Sequence, residues 1–431
     1  MRICLYEDRR TADLGPLTLT RPASDLLCGL TSLGEKQARY FGGGVIGYLC
    51  RPVLADLIRA RDPFAPVNDP IWLRAGPTVL VNSRWLAPAP PCRAPGFADL
   101  FSDVPMIGLC DNEVAFAILD ARQLRTLSPA TLDDCLNDWA QSLPACEAGG
   151  EIIRYPWDLV DQNPDQIQRD FQATCNPTDA AAHAPGFALV GPADRLFIHP
   201  TARIDPMVVA DTTGGPIWIG AGAVVTAFTR LEGPCAIGPG THLLSARVRA
   251  GTTLGPHCRV GGEVECSIVQ GFSNKYHDGF LGHSYVGEWV NLAAGTSTGD
   301  LRCDYRPVSV RLGGATVSTG RIKVGSTIGD HSRTGLGVLL NCGTMIGAFA
   351  SLLPTGQLTP REIPSFGRYG PGGLSIAPDL DEALATADVV MRRRGRELTP
   401  ELRAIYRGIA GLTKPAAHPA AVPDVGLQKS A

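Results

Sequence analysis

The sequence predicts an α/β domain followed by a left-handed parallel β-helix and a short helical C-terminal region. Three observations lead to this fold class. Strand-like and helix-like segments alternate up to about residue 165, an aliphatic residue recurs at every sixth position in the second half, and two segments with helical apolar spacing follow the repeats. The six-residue repeat is the most specific signal, because neither a helix nor an ordinary strand has that period.

Residues 1–165 contain the predicted α/β domain. The best strand candidates are 2–6, 78–82, 104–109 and 151–154, and the best helix candidates are 24–40 and 130–142. Strands and helices mixed in this way are typical of an α/β sandwich. A helix and a proline-containing connector are predicted at 166–195.

Two runs carry the six-residue repeat and place the β-helix at 196–357. They are Ile219, Val225, Leu231, Ile237 and Leu243, and then Ile328, Thr334, Leu340, Ile346 and Leu352. A three-sided coil with one inward side chain per side has this period, and a small or polar residue after the aliphatic one suits the corner. At about 18 residues per coil, the segment holds roughly eight coils.

The ends and faces of such a rod predict an oligomer. Open strand edges and apolar faces favour assembly, and the simplest closed assembly about a prism is a homotrimer. The C-terminal segment 358–414 contains a loop and helices predicted at 379–394 and 399–412, and a disordered tail is predicted at 415–431. The run Arg392, Arg393 and Arg394 indicates a solvated face that compensates a helix dipole, with phosphate binding as the alternative.

Composition excludes several classes of function. The chain has 431 residues, a net charge of -3 and a pI near 6.3, which argues against a nucleic-acid binder but leaves small anionic substrates open. The absence of a secretory signal and of long apolar stretches predicts a cytoplasmic protein with no membrane partner. The thirteen cysteines contain no C-x-x-C pair, so we expect reduced core residues.

The segment 271–282 interrupts the repeat with polar residues, and such breaks are expected at functional sites. It contains His277, whose imidazole is a candidate for proton transfer near neutral pH. Asp300 follows 23 residues later, a little over one coil, so the two are expected on neighbouring turns of one face. A zinc site is less favoured, because no third histidine has a suitable spacing.

The segment 277–306 resembles the acetyltransferase site of the bifunctional N-acetylglucosamine-1-phosphate uridyltransferase/glucosamine-1-phosphate N-acetyltransferase family and of its archaeal sugar-1-phosphate relatives. Further motifs resemble a bacterial branch of sugar nucleotidyltransferase-like proteins in that family, and the resemblance extends over nearly the whole chain. These motifs are GGEV at 261–264, SNK at 273–275, HDGFLG at 277–282, GEW at 287–289, IPSF at 363–366, LTLTRP at 17–22, GEK at 34–36 and YPWDLV at 155–160.

The resemblance implies that His277 is the general base for acetyl transfer from acetyl-CoA to a sugar amine. Asp300 replaces the asparagine of better-known members, and a carboxylate there would favour imidazolium over the imidazole that a base requires. The resemblance also implies substrate or cofactor contacts for Lys275, Phe280, Asn291, Ala294, Arg302 and Arg306. Arg306 replaces a lysine and suits a phosphate, and the backbone at Ala294 suits an oxyanion.

The N-terminal domain departs further from the family pattern. The expected glycine-rich phosphate loop is represented by 7–16, which has a single glycine. The nucleotide-binding candidates are Arg9, Arg10, Arg21, Lys36 and Asn82. Asn82 stands where the family has a metal-binding aspartate and is a poor Mg²⁺ ligand, so Asp158 is the candidate that remains for the metal.

The resemblance therefore implies a sugar-phosphate transferase with two activities. The β-helix would transfer acetyl from acetyl-CoA to an amino-sugar 1-phosphate, and the N-terminal domain would couple a nucleoside triphosphate to a sugar 1-phosphate, with reduced activity and possible use of Mg²⁺. One alternative is a nucleotidylyltransferase whose β-helix only trimerises. A second is a non-catalytic scaffold that binds sugar nucleotides.

Overall fold

The computed structural model describes residues 2–89, 105–175, 186–376 and 379–412. The predicted disordered tail at 415–431 lies outside these ranges. The N-terminal domain is built on a six-stranded sheet with the strand order Val45–Leu49, Arg2–Tyr6, Thr78–Asn82, Glu113–Leu119, Met106–Cys110 and Ala145–Glu147. The first three strands are parallel, so their carboxyl ends meet at one edge of the sheet. Two small ribbons pair Leu27–Cys28 with Thr31–Ser32, and Trp85–Leu86 with Glu151–Ile152.

Five helices surround this sheet: α1 (Leu33–Tyr40), α2 (Pro52–Arg61), α3 (Pro70–Arg74), α4 (Leu132–Ser142) and α5 (Pro156–Thr174). The helix predicted at 24–40 begins only at Leu33. Residues 27–32 form the first small ribbon, Gly29 has a φ of +80°, and Ser32 caps α1 through a capping box with Glu35. Helix α5 packs against the β-helix, so the predicted domain boundary at 165 falls within a helix that joins both parts.

The second half is a solenoid of parallel strands with three faces, which confirms the predicted β-helix architecture. The first face has nine strands: Leu196–Ile198, Ile217–Ile219, Cys235–Ile237, Thr252–Leu254, Ile268–Gly271, Tyr285–Glu288, Thr327–Ile328, Met345–Ile346 and Glu362–Ile363. It therefore has one rung more than the length of the repeat region predicts. Helix α5 and the N-terminal domain lie against this face.

The second face follows the first along each coil, and the third face follows the second. The second face contains Arg203–Ile204, Val224–Val225, Asn274–Lys275, Arg333–Thr334, Ser351–Leu352 and Gly367–Gly370, and Gly373–Ile376 pairs with the last of these. The third face contains Ala188–Val190, Val209–Asp211, Arg230–Glu232, Phe280–Gly282, Ser297–Thr298 and Leu339–Leu340. His242–Val248 and Arg259–Glu265 span both faces, and an insertion carries the hairpin Ser309–Leu312 and Ala315–Ser318.

The six-residue repeat builds the core of the solenoid. Its aliphatic side chains are at most 1% exposed and belong to one continuous cluster inside the coil. Thr334, the one polar member, is also buried, and its hydroxyl accepts a hydrogen bond from the Ala293 backbone at 3.0 Å. The hydroxyl thus has the partner that a buried polar group requires.

Six rings stack along the edge between the first and second faces, and we call this row the aromatic ladder. Its members are His257, Phe272, Trp289, His331, Phe349 and Phe366. Neighbouring ring centroids are 4.4–6.1 Å apart, and every member has a positive φ between 51° and 62°. One corner conformation repeated on successive rungs therefore aligns the rings.

Two C-terminal helices, α6 (Leu380–Arg392) and α7 (Pro400–Leu412), cover the aromatic ladder. Tyr406 of α7 lies edge-on to His331 and Phe349, and its hydroxyl is 2.9 Å from Nε2 of His331. Burial lowers the pKa of His331 to about 4, so this imidazole is neutral at physiological pH. The same cluster includes α2, so the C-terminal helices join the N-terminal domain to the solenoid. No helix in the described ranges is long and apolar enough to cross a bilayer.

Candidate functional site

His277 lies on the edge between the second and third faces, in the corner between the strands Asn274–Lys275 and Phe280–Gly282. Its ring is exposed and lies edge-on to Tyr276. Within the described part of the chain, no group forms an ion pair or a side-chain hydrogen bond with the imidazole. The next rung brings Ala294 to the same edge, because the Asp278 carbonyl accepts from the Gly295 backbone at 2.8 Å. His277 and Ala294 thus lie on the same edge of the solenoid, one rung apart.

Lys275 fixes this corner from inside the coil. Its side chain is buried, and Nζ donates to the carbonyl oxygens of Gly261 at 2.9 Å and His277 at 3.1 Å. Burial lowers the pKa of Lys275 to about 8 despite the nearby carboxylate of Asp278. A lysine bound to the main chain beside His277 positions the corner but presents no free ammonium to a ligand, which differs from the predicted substrate contact.

Asp300 has a different partner from the one expected. Its Oδ2 is 2.8 Å from Nδ1 of His283, across the edge between the third and first faces. His277 precedes the strand Phe280–Gly282 and His283 follows it, so Asp300 and His277 flank the same face at opposite ends. The expectation that the carboxylate acts on His277 is therefore corrected. The signal was present in the sequence, since His283 and Asp300 are 17 residues apart, close to one coil.

The remaining predicted contacts lie on the second face, on the third face and on the inserted segment. Phe280 projects from that face, and Asn291 is exposed on the second face, where its side chain accepts from Asn274 at 3.3 Å. Arg302 and Arg306 lie beyond Asp300 on the inserted segment. Arg302 pairs with Asp304 at 2.5 Å, whereas the side chain of Arg306 is exposed. A single chain does not bring Arg306 and His277 to one edge.

The His283–Asp300 pair makes stability depend on pH. Although burial alone favours neutral imidazole, the hydrogen bonds that His283 donates to Asp300 and Cys266 raise the pKa of His283 to about 9. An unfolded histidine titrates near about 6.5. The stabilisation is therefore complete below about pH 6.5 and is lost as the pH rises through about 9.

We expect the free energy of unfolding to fall by about 1–2 kcal/mol over this interval, discounted for partial hydration of the pair. Urea denaturation of the Asp300→Asn variant should lack that fall. Asp304→Asn, an exposed carboxylate of the same insertion, serves as the control and should keep it. An unchanged pH profile in Asp300→Asn would contradict the assignment.

Ion pairs between residues of the N-terminal domain occupy the edge of its sheet where the parallel strands end. Buried Arg84 contacts Asp8 at 2.5 Å and Glu113 at 2.7 Å. Arg10 binds the same Glu113 at 3.0 Å, and Arg9 pairs with Asp133 at 3.3 Å. Both arginines are exposed but already have carboxylate partners, so a phosphate would have to compete with those groups.

Asn82 is 2% exposed at the same edge. Its amide nitrogen donates to Asp8 at 3.1 Å and to the Val114 carbonyl at 3.2 Å, and its oxygen accepts from the Arg84 backbone. All the polar atoms of the amide are therefore bound by the protein. Asn82 organises the loop and does not face a ligand, which corrects the predicted contact.

Arg21 and Lys36 are buried in ion pairs that hold structural elements together. Arg21 of the N-terminal domain binds Asp330 and, at 3.1 Å, Glu288 of the solenoid. Although burial disfavours the charged guanidinium, these carboxylates raise the pKa of Arg21 above its usual value. Lys36 of α1 binds Asp170 of α5. Both residues thus have a structural role where the sequence predicts nucleotide contacts.

Asp158 caps α5. Its Oδ2 accepts from the backbone nitrogens of Arg154 at 3.0 Å and Tyr155 at 2.9 Å, and its Oδ1 accepts from Arg321 at 2.8 Å. The described residues contain no group of three or more histidine, cysteine, aspartate or glutamate side chains placed to hold a metal ion. The carboxylate of Asp158 is thus occupied by the α5 cap and by Arg321, where the sequence predicts a metal ligand.

Comparisons with known proteins point to one family. A family model described as "Sugar nucleotidyl transferase" matches residues 3–176. The bifunctional sugar-1-phosphate nucleotidylyltransferase/acetyltransferase of Sulfurisphaera tokodaii is 36% identical over 128 residues, which is 29% of this chain and 30% of that protein. The chain thus spans under a third of that relative's length.

Two further relatives agree. The uncharacterised acetyltransferase YaiX of Escherichia coli (strain K12) is 30% identical over 164 residues, 37% of this chain and 69% of that protein. The bifunctional protein GlmU of Methanococcus aeolicus is 34% identical over 105 residues, 24% of this chain and 25% of that protein. Together with the matched domain, they place the chain beside proteins described as nucleotidyltransferases and acetyltransferases.

Proposed function

Because this chain belongs to the GlmU-like family of sugar nucleotidyltransferases and acetyltransferases, we propose that its solenoid transfers acetyl from acetyl-CoA to the amine of an amino-sugar 1-phosphate. His277 is the general base of this reaction. The observation that carries the proposal is the pairing of Asp300 with His283, which leaves the exposed imidazole of His277 without an ion pair in the described part of the chain.

The groups at this edge suit each step of acetyl transfer. Neutral His277 removes a proton from the sugar ammonium, and the resulting amine attacks the thioester carbonyl. The backbone N–H of Ala294 has no partner in the described part of the chain and donates to the oxyanion that forms on that carbonyl. The imidazolium releases this first proton to solvent, and the ring then takes the second proton from the nitrogen of the tetrahedral intermediate and delivers it to the departing thiolate of CoA. The reaction therefore yields the amide, the free thiol of CoA and one proton.

The N-terminal domain is proposed to transfer a nucleotidyl group from a nucleoside triphosphate to a sugar 1-phosphate, at a reduced rate. The match to sugar nucleotidyl transferases supports the activity. The ion pairs of Asp8, Arg84 and Glu113 support the reduced rate, because phosphate must displace carboxylates from their arginines. We place both reactions in the cytoplasm.

The proposal is tested by assaying the full chain for both reactions. With acetyl-CoA and glucosamine 1-phosphate we expect free CoA to be released in step with N-acetylated sugar. With UTP or dTTP and a sugar 1-phosphate we expect pyrophosphate to be released more slowly than CoA is released in the first assay. Pyrophosphate release alone would favour the alternative in which the solenoid only assembles the protein, and two blank assays with binding of sugar nucleotides would favour the scaffold.

We further propose that the protein is a homotrimer whose acetyltransferase site is shared between neighbouring chains. Apolar side chains are exposed along the His277 edge on several rungs, which is unusual unless a partner covers them. They are Met207 at 62%, Phe228 at 70%, Leu336 at 69% and Leu353 at 54% exposure. A neighbour packed there would bring its Asp300 edge, with Arg306, towards His277.

Mixed oligomers test the shared site. We expect His277→Ala and Arg306→Ala each to lose most acetyl transfer, whereas a co-expressed equal mixture should regain roughly a quarter of wild-type activity, because random assembly pairs intact halves at that frequency. Sedimentation should give three chains per particle, and Phe228→Glu should dissociate it. Phe64→Glu, which alters a ring 95% exposed on the N-terminal domain, is the control for assembly. A mixture as inactive as its components would contradict a shared site.

A further inference from the structure

A separate cavity lies between the second face of the solenoid and helix α6, next to the aromatic ladder. It has a volume of about 330 Å³ and is partly enclosed. Asn274, Asn291 and Arg333 line one wall, and Arg393 and Arg394 at the end of α6 line the other. No carboxylate is among its described lining residues. This volume falls within the range of small-molecule sites, about 300–1,000 Å³.

The floor of the cavity continues a column of outward side chains on the second face. Parallel pairing aligns His242, Arg259, Asn274, Asn291 and Arg333 on consecutive rungs. Every charged member of this column segment is a base. Since rungs are spaced about 4.8 Å apart, the segment from Arg259 to Arg333 is about 14 Å long.

The guanidinium groups in and beside the cavity have no directly bound carboxylate in the described ranges, although Glu382 acts on Arg333 from farther away. Arg394 donates to the side-chain oxygen of Asn274 at 2.6 Å, and Arg259 donates to the backbone oxygens of Gly240 and Cys258 at 2.9 and 3.0 Å. Within the described ranges, neither they nor Arg333 and Arg393 form an ion pair. Elsewhere in this chain most half-buried arginines have carboxylate partners, as Arg51 has in Glu7.

The electrostatic environment agrees with this geometry. Burial lowers the pKa of Arg259, Arg333 and Arg394 below the usual value and a neighbouring arginine lowers each of them further, while the carboxylate of Glu382 opposes the shift of Arg333. Burial and the adjacent arginines also lower the pKa of His242 and His257. A set of half-buried cations that repel one another is stabilised when a compact polyanion binds between them.

We propose that this cavity binds the diphosphate group of a nucleotide-type ligand. Arginine forks match phosphoryl oxygens in pairs, and three guanidiniums set along two converging walls suit two linked phosphoryl groups better than a single carboxylate. The amides of Asn274 and Asn291 donate to the bridging and ester oxygens. The remaining volume, bounded by the edges of Phe272 and Trp289, accepts the organic part of the ligand.

The inference does not depend on the proposed acetyl transfer, because the cavity and His277 lie on different edges of the solenoid. Two ligand sources share the required chemistry: CoA and a nucleoside diphosphate sugar. If the ligand is CoA, the cavity holds the co-substrate of the solenoid. If the ligand is a nucleotide sugar, the product of the N-terminal domain binds to the solenoid.

The test measures binding of inorganic pyrophosphate to the full chain by titration calorimetry. Arg333→Gln and Arg394→Gln should each weaken binding about tenfold or more, since each removes a charge-assisted contact. Arg407→Gln removes an exposed positive charge from α7 and should leave the affinity unchanged. Arg333→Lys keeps the charge and should retain part of the affinity, which separates loss of charge from misfolding. Thermal denaturation verifies that each variant is folded.

Competition identifies the ligand. Displacement of pyrophosphate by CoA or by uridine diphosphate N-acetylglucosamine, but not by sulfate at equal ionic strength, supports the proposal. The compound that displaces it shows which of the two ligands the cavity binds. Equal competition by sulfate, failure of both nucleotides, or unchanged affinity in the two glutamine variants overturns it. His277→Ala should retain pyrophosphate binding even where acetyl transfer is lost, so failure of one proposal is distinguishable from failure of the other.

Discussion

Replacing His277 with alanine is expected to reduce acetyl transfer by about 10²–10⁴-fold, the usual contribution of a positioned general base. The amine of the substrate is protonated near neutral pH, and no other imidazole occupies this edge among the described residues. The loss should appear in kcat, because the ring acts on the proton during reaction and contributes little to holding the sugar. Steady-state release of CoA measures it.

His199→Ala is the matched control, because it removes another imidazole of the solenoid on the edge between the first and second faces. Its rate should equal that of the wild type. Nucleotidylyl transfer by His277→Ala should also be unchanged, which verifies that the chain is folded. Full acetyl transfer by His277→Ala would remove the proposed mechanism.

Replacing Arg21 with methionine is expected to destabilise the protein by about 3–5 kcal/mol, because it leaves the buried carboxylate of Asp330 and the half-buried carboxylate of Glu288 without their cation. The Asp330 side chain is 3% exposed and also accepts from Thr20 at 2.7 Å. The pair crosses from the N-terminal domain to the solenoid, so its loss should uncouple the two. Urea denaturation should give a lower midpoint and two separate transitions.

An exposed ion pair provides the comparison. Arg230 contacts Asp211 and Glu232 on the third face, with its side chain 44% exposed, and Arg230→Met should cost less than about 1 kcal/mol. A similar loss of unfolding free energy in the two variants would show that Arg21 contributes no more than an exposed surface charge. An Arg21→Met protein with a single transition would show that other contacts hold the two parts together.

The sequence was sufficient to predict the solenoid because the six-residue repeat is a local property. Each inward position, from Ile219 to Leu352, is determined by the turn geometry of its own coil. The corner at His277 was predicted for the same reason, since a break in a regular pattern is visible without knowledge of any neighbour. The helix predicted at 24–40 was partly wrong, because the turn at Gly29 outweighs the helical spacing around it.

The partners of the charged groups could not be predicted in the same way. Asp300 binds His283, and Arg21 binds Asp330, 309 residues away, through contacts that depend on how edges and domains pack. The aromatic ladder was also missed. The insertion between Trp289 and His331 separates two members by more than two coils of sequence, although they are adjacent in space.

The aromatic ladder has a consequence for how the protein is made. Its rings belong to residues 257–366, and their cover comes from α6 and α7, which follow the solenoid in the sequence and leave the ribosome after it. Until then, the rings and the α2 surface are bare, and a nascent chain in that state is prone to self-association or chaperone capture. Translation that stops before residue 379 would thus yield a chain with an exposed apolar surface along the aromatic ladder. Chaperones bind such surfaces, which lets cells recognise and discard incomplete copies.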